Sequence, residues 1–183
     1  MFELIKKAEQ EHTIIEITVT NVGGPTLLTG YVLKVDESYF IFEDYLYNGQ
    51  FAGYVLGKID DIVRVEIYDN QLEILEKLIK HYNYDPLKIT LEDDDLLLLS
   101  FINFALNNNL VIGYGVEDYN GNIKYGTIQS FDEGIIKVHS YNISGESSGV
   151  DYIELFHFKT IRVLGINEER VSILRALNNR NYQ

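Results

Sequence analysis

The chain has 183 residues and no cysteine, which excludes disulfides, thiolate zinc sites and a cysteine nucleophile. Its hydrophobic content of 46% and charged content of 23% are those of a folded globular protein. The net charge of −13 is shared by both halves, 7 Lys and Arg against 14 Asp and Glu in residues 1–84 and 8 against 14 in residues 85–183. Neither half has the clustered cations that bind phosphate or anionic lipid, so no nucleic-acid or membrane partner is expected, and the charge favours a basic protein partner.

From the N-terminus, Phe2, Leu4, Ile5 and Ala8 fall at helical spacing and predict a helix over residues 2–11. Ile15, Ile17 and Val19 alternate with polar residues, the pattern of a half-buried strand. Gly23-Gly24-Pro25 predicts a turn, and Leu27–Val35 and Tyr39–Tyr47 two further strands around the turn Asp36-Glu37-Ser38. Asn48-Gly49 predicts a two-residue type I′ hairpin turn, with a returning strand over Gln50–Leu56 and, after Asp61, another over Ile62–Ile67. A helix begins near Asn70, with Glu73 three residues on and Leu72, Leu75, Leu78 and Ile79 on its buried face. Residues 83–92 read as a linker.

The second half repeats this order. Leu96–Leu106 is apolar on most sides and predicts a helix buried between the halves. Asn120-Gly121 and Ser144-Gly145 predict hairpin turns, and Val171, Leu174 and Leu177 the stripe of a last helix. The repetition is explicit: Gly30, Asp36, Tyr45, Gly49 and Gly53 recur 96 positions later as Gly126, Asp132, Tyr141, Gly145 and Gly149. Upstream, Ile15 aligns with Val111 at the same offset. Downstream an offset of 99 puts Leu72 and Leu75 on Val171 and Leu174, as if the second copy held three extra residues.

Gly30, Val32, Asp36 and Tyr39, and again Gly126, Ile128, Asp132 and Ile135, carry a glycine, an aliphatic residue, an aspartate and a hydrophobic residue at the spacing found in Sm-like domains. With a leading helix before five short strands, each half resembles an Sm-like fold. The resemblance implies a mainly β protein with flanking helices: two tandem five-stranded Sm-like, SH3-type barrels, residues 1–84 and 85–183, each with a leading and a trailing helix. The asparagine that helps such domains bind RNA is replaced by Phe40 and Ile136, and Leu56-Gly57-Lys58 stands where an Arg-Gly pair belongs. The resemblance therefore implies the fold and argues against transferring RNA binding. Duplication in one chain would replace contacts that single barrels make by oligomerising.

Candidate chemistry is sparse. Glu92-Asp93-Asp94-Asp95 lacks the spaced ligands and glycine of a calcium loop and reads as the cap of the helix near Leu96. Asp36-Glu37 and Asp132-Glu133 read as turn residues. His12, His81, His139 and His157 have no ligand spacing, and Ser147-Ser148 lacks the lysine of a phosphate loop. No catalytic residue, metal or cofactor is expected. The aromatics stand out: Tyr45, Tyr47 and Phe51 crowd one hairpin, echoed by Tyr141, and Tyr45 and Tyr47 are expected on one face, ringed by Glu43 and Asp44. With no signal segment and no long apolar run, the expectation is a cytoplasmic, non-enzymatic protein-binding or regulatory module. The alternatives are a divergent Sm-like RNA-binding protein, an enzyme with a site between the halves, and an acidic nucleic-acid mimic.

Overall fold

A computed structural model describes residues 1–21, 24–67, 70–90, 96–116 and 123–180. The first half contains α1 (Phe2–Glu11), β1 (Ile15–Asn21), β2 (Gly24–Val35), β3 (Tyr39–Tyr45), β4 (Phe51–Lys58), β5 (Ile62–Ile67) and α2 (Asn70–Tyr82). The second contains α3 (Leu97–Asn107), β6 (Val111–Val116), β7 (Lys124–Asp132), β8 (Ile135–Tyr141), β9 (Ser147–Glu154), β10 (Phe158–Val163) and α4 (Ile166–Arg180). One-turn 3-10 helices precede β5 and β10. Among the described residues no helix is long and apolar enough to cross a membrane. The turn expected at 23–25 lies partly, and the Asn120-Gly121 turn and the 92–95 acidic run wholly, outside the described residues.

The protein is mainly β with flanking helices, but two separate barrels are not what the chain builds. The ten strands among the described residues form one open antiparallel sheet, in the order β5-β1-β2-β3-β4-β10-β6-β7-β8-β9. A free strand edge carries unpaired N–H and C=O groups that need a partner. β4 gives its edge to β10 of the other half, not to β5 of its own, pairing Leu56 with Ile161 and Val55 with Arg162. Leu56, Ile161 and Val163 are fully buried there. β5 and β9 are left as the two ends of the sheet.

Helix α3 fills the space beneath the joint. Leu98, Phe101, Ile102 and Ala105 share a core with Tyr39, Ile41, Tyr54 and Leu56 of the first half and Ile112, Ile136, Val138 and Phe158 of the second. The burial expected between the halves is therefore found. Its N-terminus is capped from a distance: the Leu97 N–H donates to Asp36 Oδ2 at 3.2 Å, while Asp36 Oδ1 accepts from the N–H groups of Ser38 at 2.8 Å and Tyr39 at 2.6 Å. Asp36 thus closes its own turn and ties it to the next half.

Strand pairing resets the repeat. Gly30 lies opposite Ile15 and Gly126 opposite Ile112, so Ile15 corresponds to Ile112, not Val111. From Gly30 onward the offset stays at 96. The bulges after Val32 and Ile128 and after Asp44 and Ser140 correspond. Gly49 packs on Leu78 as Gly145 packs on Leu174. The expected offset of 99 is thereby corrected: buried Leu72 and Leu75 correspond to buried Glu168 and Val171. Periodicity misaligned α4 on α2 because it seeks apolar residues, and one inward position is a glutamate. Leu177, expected on the stripe, is exposed.

Candidate functional site

The first hairpin divides its tyrosines between core and surface. Strand β3, buried on both faces, ends at Tyr45, whose ring is 7% exposed and packs against Tyr31 and Phe51. Tyr47 lies beyond the strand, in the turn, and is 50% exposed, its hydroxyl donating to Glu16. The two rings therefore do not share a face, because the period of two stops with the strand. The turn also differs from type I′. The Gly49 N–H donates to the Leu46 carbonyl and Gly49 alone takes a positive φ, 84°; Asn48 Oδ1 accepts from the Gln50 N–H at 3.1 Å.

Phe51 is the hub of an aromatic cluster. It meets Tyr45 and Tyr54 edge-on, with centroids 5.8 and 5.0 Å away, and stacks on Tyr84 at 5.3 Å and 18°. Burial first, then the charge of Glu43, pushes the Tyr45 phenol far above its ordinary value, and its hydroxyl donates to Glu43 at 3.1 Å. Over this cluster opens a cleft of about 330 Å³ lined by Gly49, Gln50, Phe51, Tyr82, Tyr84, Leu164, Ile166 and Glu169. Both halves contribute. Tyr82 at 53%, Tyr84 at 55% and Ile166 at 60% exposure form an apolar rim with polar tips. Tyr82 and Tyr84 were not singled out in the sequence; they follow α2, and only the fold brings them to the hairpin.

Of the two acids expected around the tyrosines, Glu43 accepts the Tyr45 hydroxyl and Asp44 is engaged elsewhere. Asp44 is buried and accepts from Arg162 Nη2 at 2.7 Å and from the Thr29 N–H at 3.1 Å. Burial pushes its carboxyl above the usual range against the pull of Arg162. Burial does the same to Glu43 and to Glu168, which caps the N-terminus of α4 through the Gly165 N–H.

No family model matches the chain, and no curated protein matches it. Among solved structures, two of K. pneumonia MrkH, one in its apo state, are similar to it at 10% and 11% identity. They cover 100% of this chain and 95% and 93% of their own, each with a TM-score of 0.19. A likeness that slight says nothing about fold or function.

Tyr141 corresponds to Tyr45 but is half-buried and lies under a cation, Arg175, whose guanidinium is 5.3 Å from the ring centroid. His139, on β8, stacks on Tyr141 at 4.9 Å, whereas His157, in the 3-10 turn before β10, pairs with Glu154 at 3.2 Å, so the two histidines have separate partners. A further cavity of about 550 Å³ includes Asp36, Tyr39, Lys58, Asp60 and Phe156 in its lining. Its Asp36 caps α3, and Lys58 Nζ donates to the Phe156 carbonyl at 3.1 Å across the halves.

Proposed function

We propose that the chain is a non-enzymatic, cytoplasmic protein-binding or regulatory module made of two Sm-like units joined edge to edge. Its aromatic cleft seats an apolar or aromatic side chain of a basic partner. The strand order supports the Sm-like part of the reading: β5-β1-β2-β3-β4 is repeated as β10-β6-β7-β8-β9, each strand advanced by five. The binding part rests on one observation, the exposed rim of Tyr82, Tyr84 and Ile166 over Phe51. Rigid aromatics with polar tips are the residues that dominate binding energy at interfaces. Glu169 on the rim and the net charge of −13 favour a cationic partner.

The test is affinity capture from the native host, comparing wild type with Tyr82→Ser/Tyr84→Ser. Both rings are more than half exposed, so the double variant should melt within a few degrees of wild type. The protein it captures should fall at least tenfold, and capture by wild type should weaken in high salt. Equal capture by both chains rejects the cleft as the binding site. Recovery of nucleic acid that resists the two changes favours the RNA-binding alternative.

A further inference from the structure

The aromatic cleft has a counterpart 96 residues on whose chemistry is reversed. Gly49, Gln50, Phe51 and Tyr82 correspond to Gly145, Glu146, Ser147 and Asn178, which line a second cavity of about 530 Å³ with His139, Tyr141, Arg175 and Asn179. In the first half, Tyr45, Phe51 and Ile79 pack into one apolar cluster with Leu72 and Leu75. In the second, serine stands for Phe51 and arginine for Ile79. The hairpin and trailing helix still meet at the same glycine contact. The frame is kept while its apolar filling is replaced by polar side chains.

We propose that this cavity binds a small molecule through an oxyanion, a carboxylate or a phosphate, held by Arg175. A cavity of several hundred Å³ with a few convergent polar groups is the usual form of a small-molecule site. Arg175 lies against Tyr141, and among the described residues it forms no ion pair; its Nη1 is buried without a hydrogen-bond partner. A cation left so in a chain of net charge −13 lacks only its counter-charge. The planar guanidinium suits two-oxygen anions. His139 Nε2 lies 2.7 Å from Ser147 Oγ, placing two further polar groups on the same wall. The one acid in the lining, Glu146, already accepts from Asn142 Nδ2 at 2.8 Å, and Asn178 Nδ2 donates to the Ser144 carbonyl at 3.2 Å.

The experiment is an NMR titration of the full chain, following the His139 ring resonances, assigned by their loss in His139→Gln. Inorganic phosphate and citrate are added separately, at constant ionic strength made up with chloride. At least one should give a saturable shift, and the one that does tells phosphate from carboxylate. Arg175→Met keeps the packing on Tyr141 and removes the charge. It should weaken binding at least tenfold and, without ligand, melt no lower than wild type, because a buried unpartnered donor is gone. No shift with either anion, undiminished binding by Arg175→Met, or a marked drop in its melting temperature would each overturn the proposal.

Discussion

Replacing Arg162 with alanine tests what holds the two halves together. Arg162 Nη2 lies 2.7 Å from Asp44 Oδ2, and the Asp44 side chain is only 9% exposed. Without the guanidinium, Asp44 keeps the Thr29 N–H but no cation. Breaking one partner of a buried pair costs about 3–5 kcal/mol. Total stability for a protein of this kind is about 5–15 kcal/mol, so the loss is a large share of it. At roughly 2–4 °C per kcal/mol, the melting temperature at pH 7 should fall by roughly 6–20 °C. The deficit should narrow on acidification, because an unpaired, buried Asp44 takes up a proton and ceases to be a charge. Asp44→Leu combined with Arg162→Met should recover most of the loss, since apolar replacement of both partners is often neutral. Calorimetry on the single variants and the pair measures the coupling. A fall of less than about 2 °C for Arg162→Ala, or a double variant weaker than both singles, would refute the reasoning.

Gly49→Ala should destabilise by more than about 1–2 kcal/mol, because the position has φ 84° and the new Cβ would meet Leu78 Cβ at 2.6 Å. Gly145→Ala, with φ 76° and α4 backbone in the way, should behave alike, and chemical denaturation checks both. Tyr45→Ala should cost about 3–5 kcal/mol as a core truncation, whereas Tyr47→Ala, half exposed, should stay within about 1 kcal/mol of wild type; urea melts separate the two. Stability should rise as pH falls through the raised carboxyl pKa values toward about 4. Asp44, Glu43 and Glu168 have raised carboxyl pKa values in the fold, so each penalises the folded state when ionised. That penalty fades as pH drops through the raised pKa toward the unfolded value near 4. Asp151 acts oppositely. Burial raises it, but hydrogen bonds from Tyr114, Lys124 and Ser140 outweigh burial and hold it low, so its contribution persists until below about pH 4. Melting temperatures that only decline as pH is lowered from neutral to about 4 would contradict this.

Local elements were legible where a single period governs them. The helix at Phe2–Glu11, the strand at Ile62–Ile67 and the helix at Asn70–Tyr82 stand where periodicity and turn residues put them. The repeated strand order was legible through glycines and Asp36, residues that turn geometry pins. What was not legible depends on pairing between distant strands. Nothing local to Phe51–Lys58 says whether its edge meets β5 or β10. Asp44 looked like a surface acid because its partner, Arg162, is 118 residues away. The aromatic rim was missed for the same reason, since Tyr82 and Tyr84 resemble a helix end and linker until the hairpin is folded beside them.

An open sheet ends in two templates for further growth, and repeated units usually risk adding chain to chain without limit. Here the seam between halves differs in charge from a contact between the ends. Set β5 of one molecule against β9 of another in the register of the β4–β10 joint, and Glu66 falls opposite Asp151, where the joint has Arg162 opposite Val55. Like charges facing across strands repel. Each acid has a cation of its own half beside it, Glu66 with Arg64 at 2.6 Å and Asp151 with Lys124 at 2.9 Å, which softens that repulsion. The two halves are thus alike in strand order but not in the charge at their outer edges, and a further copy would meet an edge unlike the one at the internal joint.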